Sequence, residues 1–130
     1  MKITDELQSL LQRPTSCFVT TLMPDGSPQV TQTWVDTDGE NVVINIVRGS
    51  QKSRNIARDP RVAVAIADPD NPSRYLAVRG VVTEVTTDGG VEHIEQLAHK
   101  YTGGPYPWYG GLDQVRERVT IRVDHLIGQG

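Results

Sequence analysis

Apolar and polar residues alternate with a period of two through most of this chain, in short runs broken by Gly, Pro and Asp. From Ser16 to Leu22 and again from Gln29 to Val35 the residues are largely β-branched or apolar, and Pro24-Asp25-Gly26-Ser27-Pro28 between them is a turn by composition. The pair predicts a hairpin. A second turn, Asp36-Thr37-Asp38-Gly39-Glu40, leads into Asn41 to Val47, where Val42, Ile44 and Ile46 share one face and Val43, Asn45 and Val47 the other. Asn45 is the polar exception in that strand. Arg61 to Asp68 sets Val62, Val64 and Ile66 against Ala63, Ala65 and Ala67, a small-residue face that admits a helix, a cofactor or another subunit. After a loop, Pro69 to Ser73, an extended segment runs from Arg74 to Thr86, and Gly80 near its middle predicts a bulge or bend. The last strand, Arg118 to His125, has Val119, Ile121 and Val123 inward and Arg118, Thr120 and Arg122 outward.

The period changes in three places. Thr4 is placed to cap a short helix whose Leu7, Leu10 and Leu11 fall on one face, and Pro14 stops it. That helix is expected to lid one end of a sheet. Ser50 caps a second helix from Gln51 to about Asp59, ended by Pro60. Thr87 or Asp88 caps a third that reaches about Tyr101. Six strands joined mainly by tight turns, with a helix after the third and another after the fifth, predict a mainly β fold, an antiparallel barrel with short helices rather than alternating βαβ units. The loop Thr102 to Gly111 is rich in Gly and Pro yet holds Tyr106, Trp108 and Tyr109, three of the seven aromatic residues.

At 130 residues the chain has single-domain length, so residues 1–130 are read as one domain. With 37% hydrophobic and 22% charged residues it has the make-up of an ordinary globule, and no stretch approaches the roughly 20 apolar residues of a membrane span. Met1 to Arg13 lacks the basic start and apolar run of a secretory signal, so a cytoplasmic location with no membrane partner is expected. The single cysteine, Cys17, lies in an apolar run and reads as a core residue.

A net charge of −3 argues against nucleic acid as a partner, but the charge is unevenly spread. Between Arg48 and Arg61 lie Arg48, Lys52, Arg54, Arg58 and Arg61 against the single acid Asp59, so this segment is +4 and the remainder −7. Arg48-Gly49-Ser50-Gln51-Lys52-Ser53-Arg54-Asn55 sets free backbone N–H groups, hydroxyl and amide donors and cations at one helix start, which suits a phosphate or carboxylate. The alternative is a solvated basic helix face with Arg54 and Arg58 one turn apart. His93 and His99 are about 240° apart on a helix and His125 stands alone, so no metal site is expected. There is no nucleophile elbow, no P-loop and no Rossmann glycine fingerprint.

Ser50-Gln51-Lys52-Ser53-Arg54-Asn55-Ile56, followed by Asp59-Pro60-Arg61-Val62, resembles the cofactor-phosphate segment of the pyridoxamine 5′-phosphate oxidase-like family. Val19-Thr20-Thr21-Leu22, Asp25-Gly26-Ser27-Pro28 and Thr33-Trp34-Val35 are similar to that family's first hairpin, so the likeness spans nearly the whole chain. It implies a six-stranded split β-barrel of the FMN-binding type. Within the family, short members with Lys-x-Arg-Asn and no long C-terminal extension look most like reductases that use the deazaflavin coenzyme F420.

The resemblance further implies that Lys52 and Arg54 lie near cofactor phosphate or carboxylate groups, with Ser50, Gln51 and Asn55 donating hydrogen bonds there. It implies that Gln32 to Trp34 and Asn45, Ile46 and Val47 flank the cofactor ring; for Trp34, core packing is the alternative. Tyr106, Trp108 and Tyr109 are implied as a substrate-shaping lid over the cofactor, with plain loop packing as the alternative. Two sites at the interface of a homodimer are expected. The activity implied is transfer of a hydride from reduced F420 to a planar, conjugated small molecule, with no catalytic side chain assigned. An FMN-dependent oxidoreductase on the same barrel, or a non-catalytic carrier of F420, FMN or haem, are the alternatives.

Overall fold

The computed structural model describes residues 2–129, with side chains through residue 127. In chain order the elements are α1 (Asp5–Leu11), β1 (Ser16–Leu22), β2 (Pro28–Thr33), β3 (Val35–Thr37), β4 (Val42–Val47), α2 (Gln51–Arg58), β5 (Arg61–Asp68), β6 (Asn71–Thr86), α3 (Gly90–Thr102) and β7 (Arg116–Gln129). The strands form one curled antiparallel sheet, a split barrel, in the order β2-β1-β5-β6-β7-β4-β3. Its edges, β2 and β3, are consecutive in sequence.

Seven strands stand where the alternation predicts six. The run from Gln29 to Val35 divides at Trp34, because Pro28–Thr33 pairs with β1 whereas Val35–Thr37 turns away to pair with β4. A β-favouring run fixes extended backbone but not which neighbour accepts its hydrogen bonds, and here it serves both edges of the split barrel. The strand expected from Arg74 begins at Asn71, opposite Asp68 across a register shift, so the turn shrinks to Pro69-Asp70. Pro72 is tolerated so close to the strand's start.

Gly80 does mark a bulge, with register shifting against β7 between Arg79 and Gly80. A Cβ at Gly80 would stand 2.1 Å from the Arg122 carbonyl oxygen, so only glycine lets the two strands approach there.

The core lies inside the curl. Val19, Val64, Ile66, Ile44, Ile46, Val119, Ile121 and Val123 come from the strands, and Leu7, Leu10 and Leu11 from α1, which packs on β3 and β5 as a lid. Thr4 caps α1 by accepting a hydrogen bond from the Leu7 N–H, and Ser50 caps α2 by accepting one from the Ser53 N–H. α3 departs from its expected start: its cap is Gly89, in the left-handed conformation at φ 72° and with no side-chain cap, while Asp88 donates its N–H to the Thr86 hydroxyl. α3 lies across β7 and β4, on the face away from the main core. Thr120 on β7, read from the alternation as outward, is accordingly buried. Among the described residues no helix is long and apolar enough to cross a membrane.

Candidate functional site

Where the sheet splits, a cavity of about 550 Å³ opens between its two edges. The end of β4 gives it Asn45, Ile46 and Val47, and the start of β7 gives Arg116. The start of α2 supplies Ser50 and Lys52. On the far side stand Gln32, Thr33 and Trp34, at the break between β2 and β3, with Thr15 and Ser16. α3 and the loop after it close the rest with Ile94, Tyr101, Tyr106 and Tyr109.

The aromatic wall is built on Tyr106. Trp34 stacks on Tyr101, with ring centroids 5.3 Å apart and planes 12° from parallel, and meets Tyr106 edge-on at 6.3 Å. Tyr106 in turn takes Trp108 and Tyr109 edge-on at 5.3 and 5.8 Å. The Tyr101 hydroxyl donates to the Thr15 carbonyl at 2.8 Å and accepts the Val35 N–H at 3.2 Å, riveting α3 to both sides of the split. Lys100 donates to the carbonyls of Leu11 and Val35 at 2.6 and 2.5 Å. Trp34 therefore packs and faces the cavity at once. Trp108 does not line it; its backbone sits at φ 54°, a left-handed conformation that is costly for a residue with a side chain.

The polar wall carries two cations that have no carboxylate partner among the described residues. Among the described residues Lys52 Nζ reaches the Thr31 hydroxyl, at 3.4 Å. Burial, and then the charge of Arg116, pull its pKa below the ordinary lysine value. Arg116 is 9% exposed, and its Nε donates to Asn45 Oδ1 at 2.7 Å. Burial lowers its pKa as well, with Tyr106 opposing. Asn45 Nδ2 donates to the Gly90 carbonyl at 2.9 Å and to His93 Nδ1 at 3.2 Å. His93 Nδ1 is thereby the acceptor, which leaves the proton on Nε2, facing Asp36 Oδ2 at 3.6 Å. That distance exceeds a hydrogen bond, so the contact is electrostatic. At Asp36 burial acts to raise the pKa, but the approach of His93, the hydrogen bond from the Thr37 N–H and the Lys100 charge outweigh it and hold the carboxyl below its usual range.

Of the residues singled out from the sequence, Gln32, Trp34, Asn45, Ile46, Val47, Ser50, Lys52, Tyr106 and Tyr109 surround the cavity. Gln51, Arg54 and Asn55 do not. Arg54 folds back onto the Gly49 carbonyl at 2.5 Å and Gln51 Oε1 at 2.7 Å, and Gln51 Nε2 donates to Asn55 Oδ1 at 2.8 Å. Asn55 is fully buried and fastens α2 to β1 by donating to the Thr21 hydroxyl at 3.0 Å. The sequence reading missed Thr15, Ile94 and Arg116. Arg116 lies just before the strand expected at Arg118, on its outward-reading face, and only α3 crossing that face turns it into a cavity residue. Among the described residues no three His, Cys, Asp or Glu side chains converge as metal ligands.

Comparison with known proteins bears on this geometry. Residues 3–124 match the family described as pyridoxamine 5′-phosphate oxidase. The chain is similar to a solved F420 reductase at 35% identity and a TM-score of 0.84, over 98% of this chain and 100% of that one. A conserved hypothetical protein from Mycobacterium tuberculosis shares the fold at 24% identity and TM-score 0.76, over 97% of this chain and 84% of that one. The HupZ protein of Group A Streptococcus shares it at 19% identity and TM-score 0.68, over 97% and 93%. Among curated proteins no sequence matches.

Proposed function

Because the chain belongs to the pyridoxamine 5′-phosphate oxidase family, we propose that it is an oxidoreductase that binds the deazaflavin coenzyme F420 in the cavity at the split and reduces a conjugated small molecule. One observation carries this reading: a half-buried Lys52 at a helix start, with no carboxylate partner among the described residues, shares a cavity with an aromatic wall, in a chain similar along its full length to an F420 reductase.

The residues fit such a cofactor. The Lys52 amide lies in the first turn of α2, with no earlier helical carbonyl to bond, and with the Ser50 hydroxyl and the Lys52 ammonium it offers an anion cradle. Thr15 Oγ1, buried and with no hydrogen-bond partner among the described residues, is a spare polar group on the opposite wall. Ile46, Val47 and Trp34 offer apolar surface for a flat ring. When bound, the deazaflavin supplies a hydride. The chain's own contribution is to fix ring and substrate against each other and to exclude water, for which the Tyr106-centred cluster is suited.

A homodimer belongs to the same proposal. Phe18, Ala65, Ala77 and Ile127 stand side by side across β1, β5, β6 and β7, and Phe18 and Ile127 are 43% and 55% exposed. This apolar row on the outside of the sheet is offered to a second copy.

The test is titration with F420 and, separately, FMN, followed by tryptophan fluorescence. Micromolar or tighter F420 binding is expected. Lys52→Ala should weaken it by roughly 10- to 150-fold, the equivalent of a charge-assisted contact of about 1.5–3 kcal/mol. A preference for FMN moves the reading to a flavin-dependent oxidoreductase, and binding of neither overturns it.

A further inference from the structure

Arg116 is the one strong group of this cavity that the cofactor reading leaves without work. It is the first residue of β7, paired with Val47 on β4, and is buried. A guanidinium has several N–H donors and stays charged, so enclosing it is unfavourable unless something meets the charge. Within the described chain nothing negative does. No carboxylate forms an ion pair with it among the described residues. The adjacent acid, Glu117, points to the other face of β7 and accepts from the Ser53 hydroxyl at 2.9 Å. Among the described residues the Arg116 guanidinium meets Asn45, through Nε to Oδ1 at 2.7 Å and Nη2 to the carbonyl at 3.5 Å, and the ring of Tyr106, 5.4 Å from its charge centre to the centroid.

These contacts aim the group. The Asn45 amide cannot turn over, because its nitrogen is committed to the Gly90 carbonyl and His93 Nδ1. Its oxygen is therefore fixed toward Arg116. With one edge of the fork held by Asn45 and one face against Tyr106, the remaining N–H groups are left for the cavity that Arg116 lines. Lys52, on the same polar wall, adds a like charge rather than relief.

We propose that Arg116 is the specificity-determining residue of this cavity and binds a carboxylate carried by the molecule to be reduced, so that the substrates are conjugated acids. This rests on the reading of the cavity as a reductase site. A planar, immobilised guanidinium matches the two oxygens of a carboxylate in a way a lone ammonium does not. Its place argues for the substrate rather than the cofactor as the source. The cofactor's phosphate is met at the start of α2, whereas Arg116 stands under Tyr106, the hub of the aromatic wall.

The test uses trans-cinnamate and its methyl ester, alike in shape and conjugation and different in charge, titrated against the protein with and without F420. Wild type should bind the acid about tenfold or more tightly than the ester. Arg116→Gln should abolish that preference while F420 affinity and ester affinity stay within about twofold, and Arg116→Lys should keep part of it. The proposal is overturned if wild type shows no preference or binds neither probe, or if Arg116→Gln keeps the preference. It is also overturned if Arg116→Gln weakens F420 and leaves the acid-to-ester ratio unchanged, which would put the anion on the cofactor. The wild-type comparison decides even where a variant does not fold. Should F420 fail to bind while the acid preference is present and lost in Arg116→Gln, the deazaflavin reading falls and the carboxylate site stands.

Discussion

Replacing Asn45 by leucine tests how much of the fold is invested in aiming the site. Leucine has the same branching, with methyl groups where the amide has its oxygen and nitrogen, so shape is nearly kept and three hydrogen bonds are removed. The Gly90 carbonyl, His93 Nδ1 and Arg116 Nε all lose their partner at once. Each stranded buried group costs about 1–3 kcal/mol, with the charged one at the upper end. Arg116 borders a cavity from which water can reach it, so even its charge stays in the lower half of that range, and the sum over the three groups is about 3–6 kcal/mol. Against a stability of roughly 5–15 kcal/mol this is a large share. For a chain of this length it corresponds to a Tm lower by roughly 10–20 °C. Asn45→Asp should fall between, because it keeps an acceptor for Arg116 but has no donor for the Gly90 carbonyl. Calorimetry of the three proteins decides. A leucine variant melting within about 3 °C of wild type would refute the network as a structural element, since the stranded groups would then have found other partners.

Four further outcomes follow from the same coordinates. Gly90→Ala should lower stability by about 1–3 kcal/mol in urea unfolding, because its Cβ would lie 2.2 Å from the Arg116 carbonyl oxygen and force α3 off β7; an unchanged midpoint would contradict this close approach. Cys17 is fully buried and its thiol is pushed up to about 12 by burial, so a thiol-specific reagent should modify it only in denaturant; rapid labelling of the native protein would show otherwise. The Asp36 carboxyl is held below its ordinary 3.8, so its contribution is present above that value and disappears as pH falls through the lower folded pKa. Asp36→Asn should therefore destabilise near neutral pH, with the difference from wild type shrinking as pH falls below 3.8, measured as urea midpoints across pH; a constant offset would exclude the linkage. Ala65→Arg places a charge in the middle of the row from Phe18 to Ile127, and should convert the proposed dimer to a monomer by light scattering, with no change of mass arguing for another face.

What could be read from the sequence was whatever is decided locally. Ser50 as a cap, Pro60 as a stop, the Pro24 to Pro28 turn and the Gly80 bulge each depend on a few neighbouring residues, and each is where the residues place it. Asn45 stood out as a polar residue among valines and isoleucines, and it is the hub of the buried network. Illegible features depend on a distant partner. Nothing in Gln29 to Val35 says that Trp34 separates two sheet edges. Nothing in Arg116 says that α3 will cross above it, more than a dozen residues after the helix itself has ended. Arg54 shows the limit of a motif: two residues after Lys52 it lies about 200° round the helix, and it turns back on Gly49 while Lys52 enters the cavity.

The two halves of the site thus differ in what changing them disturbs. The start of α2 is contiguous in sequence, and Lys52 reaches the cavity through a single 3.4 Å contact with Thr31. Altering its charge changes what the cavity attracts and little of what holds the barrel together. Arg116 is assembled from β4, β7 and α3, and the bonds that aim it are the bonds that seat α3 on the sheet. Removing Asn45 or widening Gly90 must therefore loosen the fold and misdirect the guanidinium together, whereas Arg116→Gln can alter recognition with the amide network still in place. That asymmetry separates a structural from a recognition role for Arg116: a purely structural arginine would lose stability and acid binding in proportion in every variant, and a recognition residue would lose the second alone in Arg116→Gln.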